Sequence, residues 1–112
     1  GWGVADRGAA VIAVPAGFPG FLHPDADLGG DVYAQFIRRR PGSADPSGAW
    51  LAHRRASSPT GWCVSTVEWW RATEGDWPIW SLGSLDPLAL HPQVRCHCGL
   101  AGWVRGGRWV PA

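Results

Sequence analysis

The sequence contains no lysine, no asparagine and no methionine, and only two of its acidic residues are glutamates, Glu68 and Glu74. Without lysine there is no P-loop phosphate cradle, no Schiff-base chemistry and no Ser-Lys dyad. All ten basic residues are arginines, a bias that GC-rich coding produces, as in actinobacteria and their phages. The missing initiator methionine leads us to expect a trimmed chain whose natural start precedes Gly1. Long apolar runs are absent too. The run Ala9–Val14 falls far short of the roughly 20 residues that cross a bilayer and of a signal-peptide core. The expectation is a soluble chain, cytoplasmic or virion-associated, with no membrane partner. Enzyme signatures are equally sparse: no His is followed two places on by Glu, and neither H-E-x-x-H nor G-x-S-x-G occurs.

Tryptophan, glycine and proline are what the chain has instead. Nine tryptophans in 112 residues are several times the usual share, and each can bury roughly 150–250 Å². The 16 glycines and 10 prolines interrupt the sequence too often for long helices. One all-β domain spanning residues 1–112 is expected, a small roll or compact sandwich with a C-terminal hairpin and little helix. The candidate strands are Ala9–Val14, Val32–Arg38, Ala49–His53, Trp62–Thr66, Ile79–Leu82, Val94–Cys98, Trp103–Arg105 and Arg108–Val110. Val67–Thr73 reads as a helical turn or as an extension of the preceding strand. Phe18–Gly30 and Pro41–Gly48 read as loops.

Net charge is only +1, so no global field points to nucleic acid. The arginines are nevertheless clustered. Arg38, Arg39 and Arg40 precede the second loop, and Arg54 and Arg55 follow the next candidate strand. A basic hairpin that presents both groups beside its tip is one reading, and a solvated rim is the other. Between residues 50 and 80 lie Trp50, Trp62, Trp69, Trp70, Trp77 and Trp80. Adjacent residues of a strand face opposite ways, so one of Trp69 and Trp70, taken here as Trp70, is expected near solvent or at an interface.

Three cysteines, an odd number, argue against an all-disulfide framework and for a reducing compartment. On a strand, Cys96 and Cys98 share one side while His97 points away. Two thiols would then reach one ion. Zinc asks for four tetrahedral ligands, which leaves Cys63 as the third and His97 turned inward, His53, His91 or His23 as the fourth. Plain core packing and a disulfide from Cys63 are the competing readings.

The run LDPLALHPQVRCHCGLAGWVRGGRWVPA, residues 85–112, resembles the C-terminal cassette of small uncharacterised proteins of actinobacteria and actinophages. That cassette reads roughly L-T-L-x-P-S-x-x-C-x-x-C-G-x-H-G-F/Y-I-x-x-G-x-W. Leu88, Leu90, Pro92, Cys98, Gly99, Gly102, Trp103, Val104, Gly107 and Trp109 match it. The resemblance implies a phage-linked origin and no known activity. The cassette's C-x-x-C is C-x-C here and its His is Ala101, so a metal site of that kind would have to be rebuilt with His97 or Cys63.

The end of the run is a hairpin signal. Trp103-Val104-Arg105 and Arg108-Trp109-Val110 flank Gly106-Gly107, which can supply the two positive φ angles of a type I′ turn. That register sets Val104 and Trp109 on the core side and Trp103, Arg105 and Arg108 on the other. Two opposed arginines need an anion or an aromatic ring nearby. The leading expectation is a non-enzymatic binding or structural module, a virion or accessory component, acting through a Trp/Arg-rich interface on a protein partner or a second copy. A zinc-stabilised nucleic-acid-binding domain is the alternative, and a small thiol- or metal-dependent enzyme is a third.

Overall fold

Along the central strands the side chains alternate between two apolar environments, and this alternation organises the molecule. The computed structural model describes residues 11–75 and 77–112. Four strands, β1 (Ala26–Gly29), β2 (Val32–Ile37), β3 (Gly48–Arg54) and β4 (Trp62–Glu68), form an antiparallel meander in chain order. Strands β5 (Ser81–Leu85) and β6 (Leu88–His91) form a hairpin, and β7 (Val94–Arg95), β8 (Ala101–Arg105) and β9 (Arg108–Pro111) a third antiparallel sheet. Among the described residues there is no helix, and the all-β expectation holds.

One face of the meander contributes Leu28, Val32, Ala34, Ala49, Leu51 and Val67 to the main core. Leu88, Leu90, Val94 and Val104 cover that face from the two smaller sheets. The opposite face packs Tyr33, Ala52 and Trp62 against Leu22 and the half-buried Phe18. Phe18 meets Tyr33 and Trp62 edge-on, with ring centroids 5.2 and 5.0 Å away. Both faces of β2 and β3 are therefore dry, which explains why their sequences carry apolar residues at consecutive positions. The core is aliphatic rather than rich in tryptophan: the largest fully buried side chains are leucines and valines. Trp62 is buried, while Trp69, Trp80 and Trp109 pack against the margin of the core, because an indole N–H must reach an acceptor near the surface. Trp69 donates to the Pro46 carbonyl at 2.9 Å and Trp80 to the Gln93 carbonyl at 3.3 Å.

Several expected elements differ. Strand β1 lies inside the expected Phe18–Gly30 loop, where the buried Leu28 anchors it and Gly29, Gly30 and Asp31, all at positive φ, turn the chain into β2. Strand β6 lies between Pro87 and Pro92, which mask its two buried leucines. No strand covers Val11–Val14, and Ala9 and Ala10 lie outside the described residues. Val67–Thr73 extends β4 to Glu68 and then bends, with the Ser47 carbonyl accepting from both Trp69 and Trp70 N–H.

The expected strand Val94–Cys98 stops at Arg95. Beyond it Cys96 N–H donates to the Leu100 carbonyl, and Gly99 N–H, at φ 97°, to the Cys96 carbonyl. Cys96 and Cys98 thus lie on a tight turn instead of one side of a strand.

Gly48 is where β3 passes closest to β4. A Cβ there would meet the Val67 carbonyl oxygen inside any normal contact distance and lie 3.2 Å from Glu68 Cα. Both obstacles are backbone and cannot step aside. Gly48→Ala is expected to destabilise the domain by about 2–3 kcal/mol, as overpacking does. Urea denaturation measures it, and an unchanged midpoint would contradict this packing.

Candidate metal centre

The β3–β4 register sets His53 directly opposite Cys63. Both belong to the inward-facing set of their strands, with Leu51 and Ser65 as same-face neighbours two residues away. The turn between β7 and β8 delivers Cys96 and Cys98 to the same point. One donor atom from each of His53, Cys63, Cys96 and Cys98 lies within 4.8 Å of all the others. Cys63 Sγ is 3.5 Å from Cys96 Sγ, and His53 Nε2 is 3.3 Å from Cys98 Sγ. A tetrahedral zinc ion bound at about 2.3 Å to sulfur and 2.0–2.1 Å to nitrogen needs ligand separations of about 3.8 Å between sulfurs and about 3.6 Å between sulfur and nitrogen. The widest separation, 4.8 Å, exceeds these by about 1 Å, so the four residues could hold such an ion after a shift of about that size.

The surrounding contacts prepare these donors. His53 Nδ1 lies 3.2 Å from the Leu51 carbonyl oxygen, which can only accept, so the N–H sits on Nδ1 and the Nε2 lone pair faces the sulfurs. Burial lowers the His53 pKa from its ordinary 6.5, favouring the neutral imidazole a metal requires. Burial, then the neighbouring thiols, pushes the Cys63 thiol up to about 11. At Cys96 burial acts in the same direction but is outweighed by hydrogen bonds from the Cys98 backbone N–H and the Ser65 hydroxyl, so this thiol falls below its ordinary 9.0. Cys96 therefore becomes a thiolate before Cys63, which keeps its proton. At pH 7 zinc must therefore displace at least the Cys63 proton, and affinity should rise with pH. Isothermal titration in buffers of different ionisation enthalpy reads this directly. We expect at least one proton released per zinc, and none released would contradict the ligand set.

Of the histidines considered from sequence, His53 completes the four-donor group, while His23 and His91 are exposed elsewhere. His97 is exposed beside it, with Nε2 3.7 Å from Cys63 Sγ and Nδ1 3.7 Å from Cys96 Sγ. Ser65, buried beside Cys96 and helping to lower its thiol's pKa, is the supporting residue that sequence reasoning missed. Its position two residues from Cys63 on an alternating strand is the signal that could have found it.

The expected binding residues do not form one surface. Arg38–Arg40 leave β2 beside Gly48, at the start of β3, whereas Arg54 and Arg55 lie at its other end. Seven strand residues, at about 3.4 Å each, put roughly 20 Å between the groups. The single basic hairpin tip is thereby corrected. Most of these arginines also have intramolecular partners. Arg39 pairs with Glu68 at 3.9 Å, Arg40 stacks over the half-buried Trp70 at 5.6 Å, and Arg54 lies 3.5 Å from Asp31 and 4.7 Å from the Trp62 ring. The C-terminal hairpin has the expected register, Val104 opposite Trp109 and Arg105 opposite Arg108, with Gly106 and Gly107 at positive φ. Arg105 stacks over Trp103 at 4.6 Å. Among the described residues no helix is long and apolar enough to cross a membrane. Comparison with protein-family profiles, curated proteins and solved structures finds no match to this chain.

Proposed function

We propose that this chain is a zinc-stabilised, non-enzymatic binding module in which one ion clamps the β3–β4 hairpin to the β7–β8 turn. The observation that carries this reading is the convergence of one imidazole nitrogen and three sulfurs within 4.8 Å, with the imidazole oriented by the Leu51 carbonyl. Cys₃His is a structural zinc set. Four protein donors would complete the tetrahedron and leave no position for a reactive water, so the ion's contribution is to folding rather than to a reaction. The placement supports this. His53 and Cys63 belong to the meander and Cys96 and Cys98 to the covering sheet, so the ion would join two layers otherwise held by apolar contact.

Native mass spectrometry of the purified chain, expressed in zinc-supplemented medium, tests the proposal. One tightly held zinc per chain, lost on acidification, is the expected result. A metal-free chain that takes up no zinc on titration, or a Cys63–Cys96 disulfide in freshly prepared reduced protein, would overturn it.

A further inference from the structure

The outer face of the C-terminal sheet carries a charge pattern that the metal centre does not use. In the β7–β8–β9 register Arg95 stands opposite Ala101 and Arg105 opposite Arg108, and alternation places Trp103 on the same face between them. All three arginines are exposed and Trp103 is half-buried. Among the described residues, the ion pairs engage Arg39 and Arg54, and no carboxylate lies within 4.0 Å of Arg95, Arg105 or Arg108. Arg95 is held by the neutral Gln93 side chain at 2.9 Å. Two like charges directly opposite each other on a hairpin are destabilising, and among the described residues no acid compensates the cost.

We propose that this face is a binding surface for single-stranded nucleic acid, resting on the reading of the chain as a binding module. Four residue steps along β8 lead from Ala101, and with it Arg95, to Arg105, which gives about 14 Å between the two ends of the strip. Phosphates of an extended strand engage Arg95 at one end and the Arg105–Arg108 pair at the other, the guanidinium fork matching phosphate oxygens bidentately. Between them the Arg105 guanidinium lies over the Trp103 ring, 4.6 Å from its centroid, and an unstacked base adds to that pair as a third layer. A bare acidic protein surface would use the charges but not the stack, and an intact duplex offers no free base face. The turn is fixed from behind, where Gly107 N–H donates to the Leu88 carbonyl at 2.9 Å, so the arginine pair sits on a braced hairpin.

The test is fluorescence anisotropy of the full zinc-loaded chain with labelled oligothymidylate and oligouridylate of about 15 nucleotides, at about 50 and 200 mM salt. Binding to either strand is expected, with a log–log salt slope near −2, as about three phosphate contacts on a single strand give. The triple variant Arg95→Gln, Arg105→Gln, Arg108→Gln should bind at least tenfold more weakly and flatten that slope. Trp103→Ala should weaken binding about 5- to 100-fold, the range for loss of one stacked base. The control Arg38→Gln, Arg39→Gln, Arg40→Gln should bind within twofold of wild type. Zinc content and circular dichroism of every variant separate loss of this surface from loss of the fold, so failure here leaves the metal reading standing. Absence of binding at low salt, equal affinity for a duplex or for polyglutamate, or an unaffected triple variant would overturn the proposal.

Discussion

Cys63→Ser is expected to abolish stoichiometric zinc and to lower the melting temperature by about 15–30 °C in zinc-containing buffer. An ion present at a thousand times its Kd contributes about 4 kcal/mol to the folded state. For a domain of about this size each kcal/mol corresponds to about 4–8 °C. The metal-free wild type should melt close to the variant, because both lack the clamp between His53–Cys63 and the Cys96–Cys98 turn. Differential scanning fluorimetry with and without added zinc gives both values. If the cysteines only packed, the variant would lose about 1–3 kcal/mol through a buried hydroxyl, and neither protein would respond to zinc.

Gly102→Ala is the second large effect. Gly102 is buried on β8 beneath the Trp109 indole, and a Cβ there would lie 2.5 Å from Trp109 Cζ2 and 2.6 Å from the Val110 carbonyl oxygen. The ring must leave its place against the core or the β8–β9 pairing must open. Either response costs about 2–3 kcal/mol. That loss corresponds to about 8–24 °C. Zinc stoichiometry should stay at one, since none of the four donors lies on β8 or β9. Trp109→Leu removes the obstructing ring, so the double variant should be more stable than the sum of the single effects implies, by about 1 kcal/mol or more. Strict additivity would mean that Gly102 does not make room for Trp109.

These two sites differ in how far the sequence discloses them. Around Gly106-Gly107 the information is local: two residues that tolerate positive φ fix the turn, the turn fixes the register, and the register places Val104 and Trp109 inward and Arg105 opposite Arg108. The metal cluster is non-local. Cys63 and Cys96 are visible as candidates, but choosing His53 over His23, His91 and His97 requires the register of β3 on β4. A seven-residue connection, Arg55–Gly61, does not set that register by its composition. The same limit hid β1 and β6. Each is a four-residue strand bounded by glycine or proline, and its burial comes from a partner sheet that no local pattern announces.

The tryptophans mark a further boundary of sequence reasoning. Their number points to the core, yet the space between the meander and its cover is filled by leucine and valine, with Trp69, Trp80 and Trp109 at its margin. Arginines meet four other tryptophans: Arg40 lies over Trp70, Arg54 over Trp62, Arg71 over Trp77 and Arg105 over Trp103. In a chain whose only basic residue type is arginine, a planar cation is always at hand, so the aromatic surplus becomes a set of stacked pairs at the surface.

X-ray absorption at the zinc edge tests the central claim most directly, because it counts the donors. The geometry of His53, Cys63, Cys96 and Cys98 predicts three sulfurs at about 2.3 Å and one imidazole nitrogen at about 2.0 Å, with His53→Ala removing the nitrogen shell. A shell of nitrogen and oxygen alone, or an unchanged spectrum in the His53 variant, would contradict it.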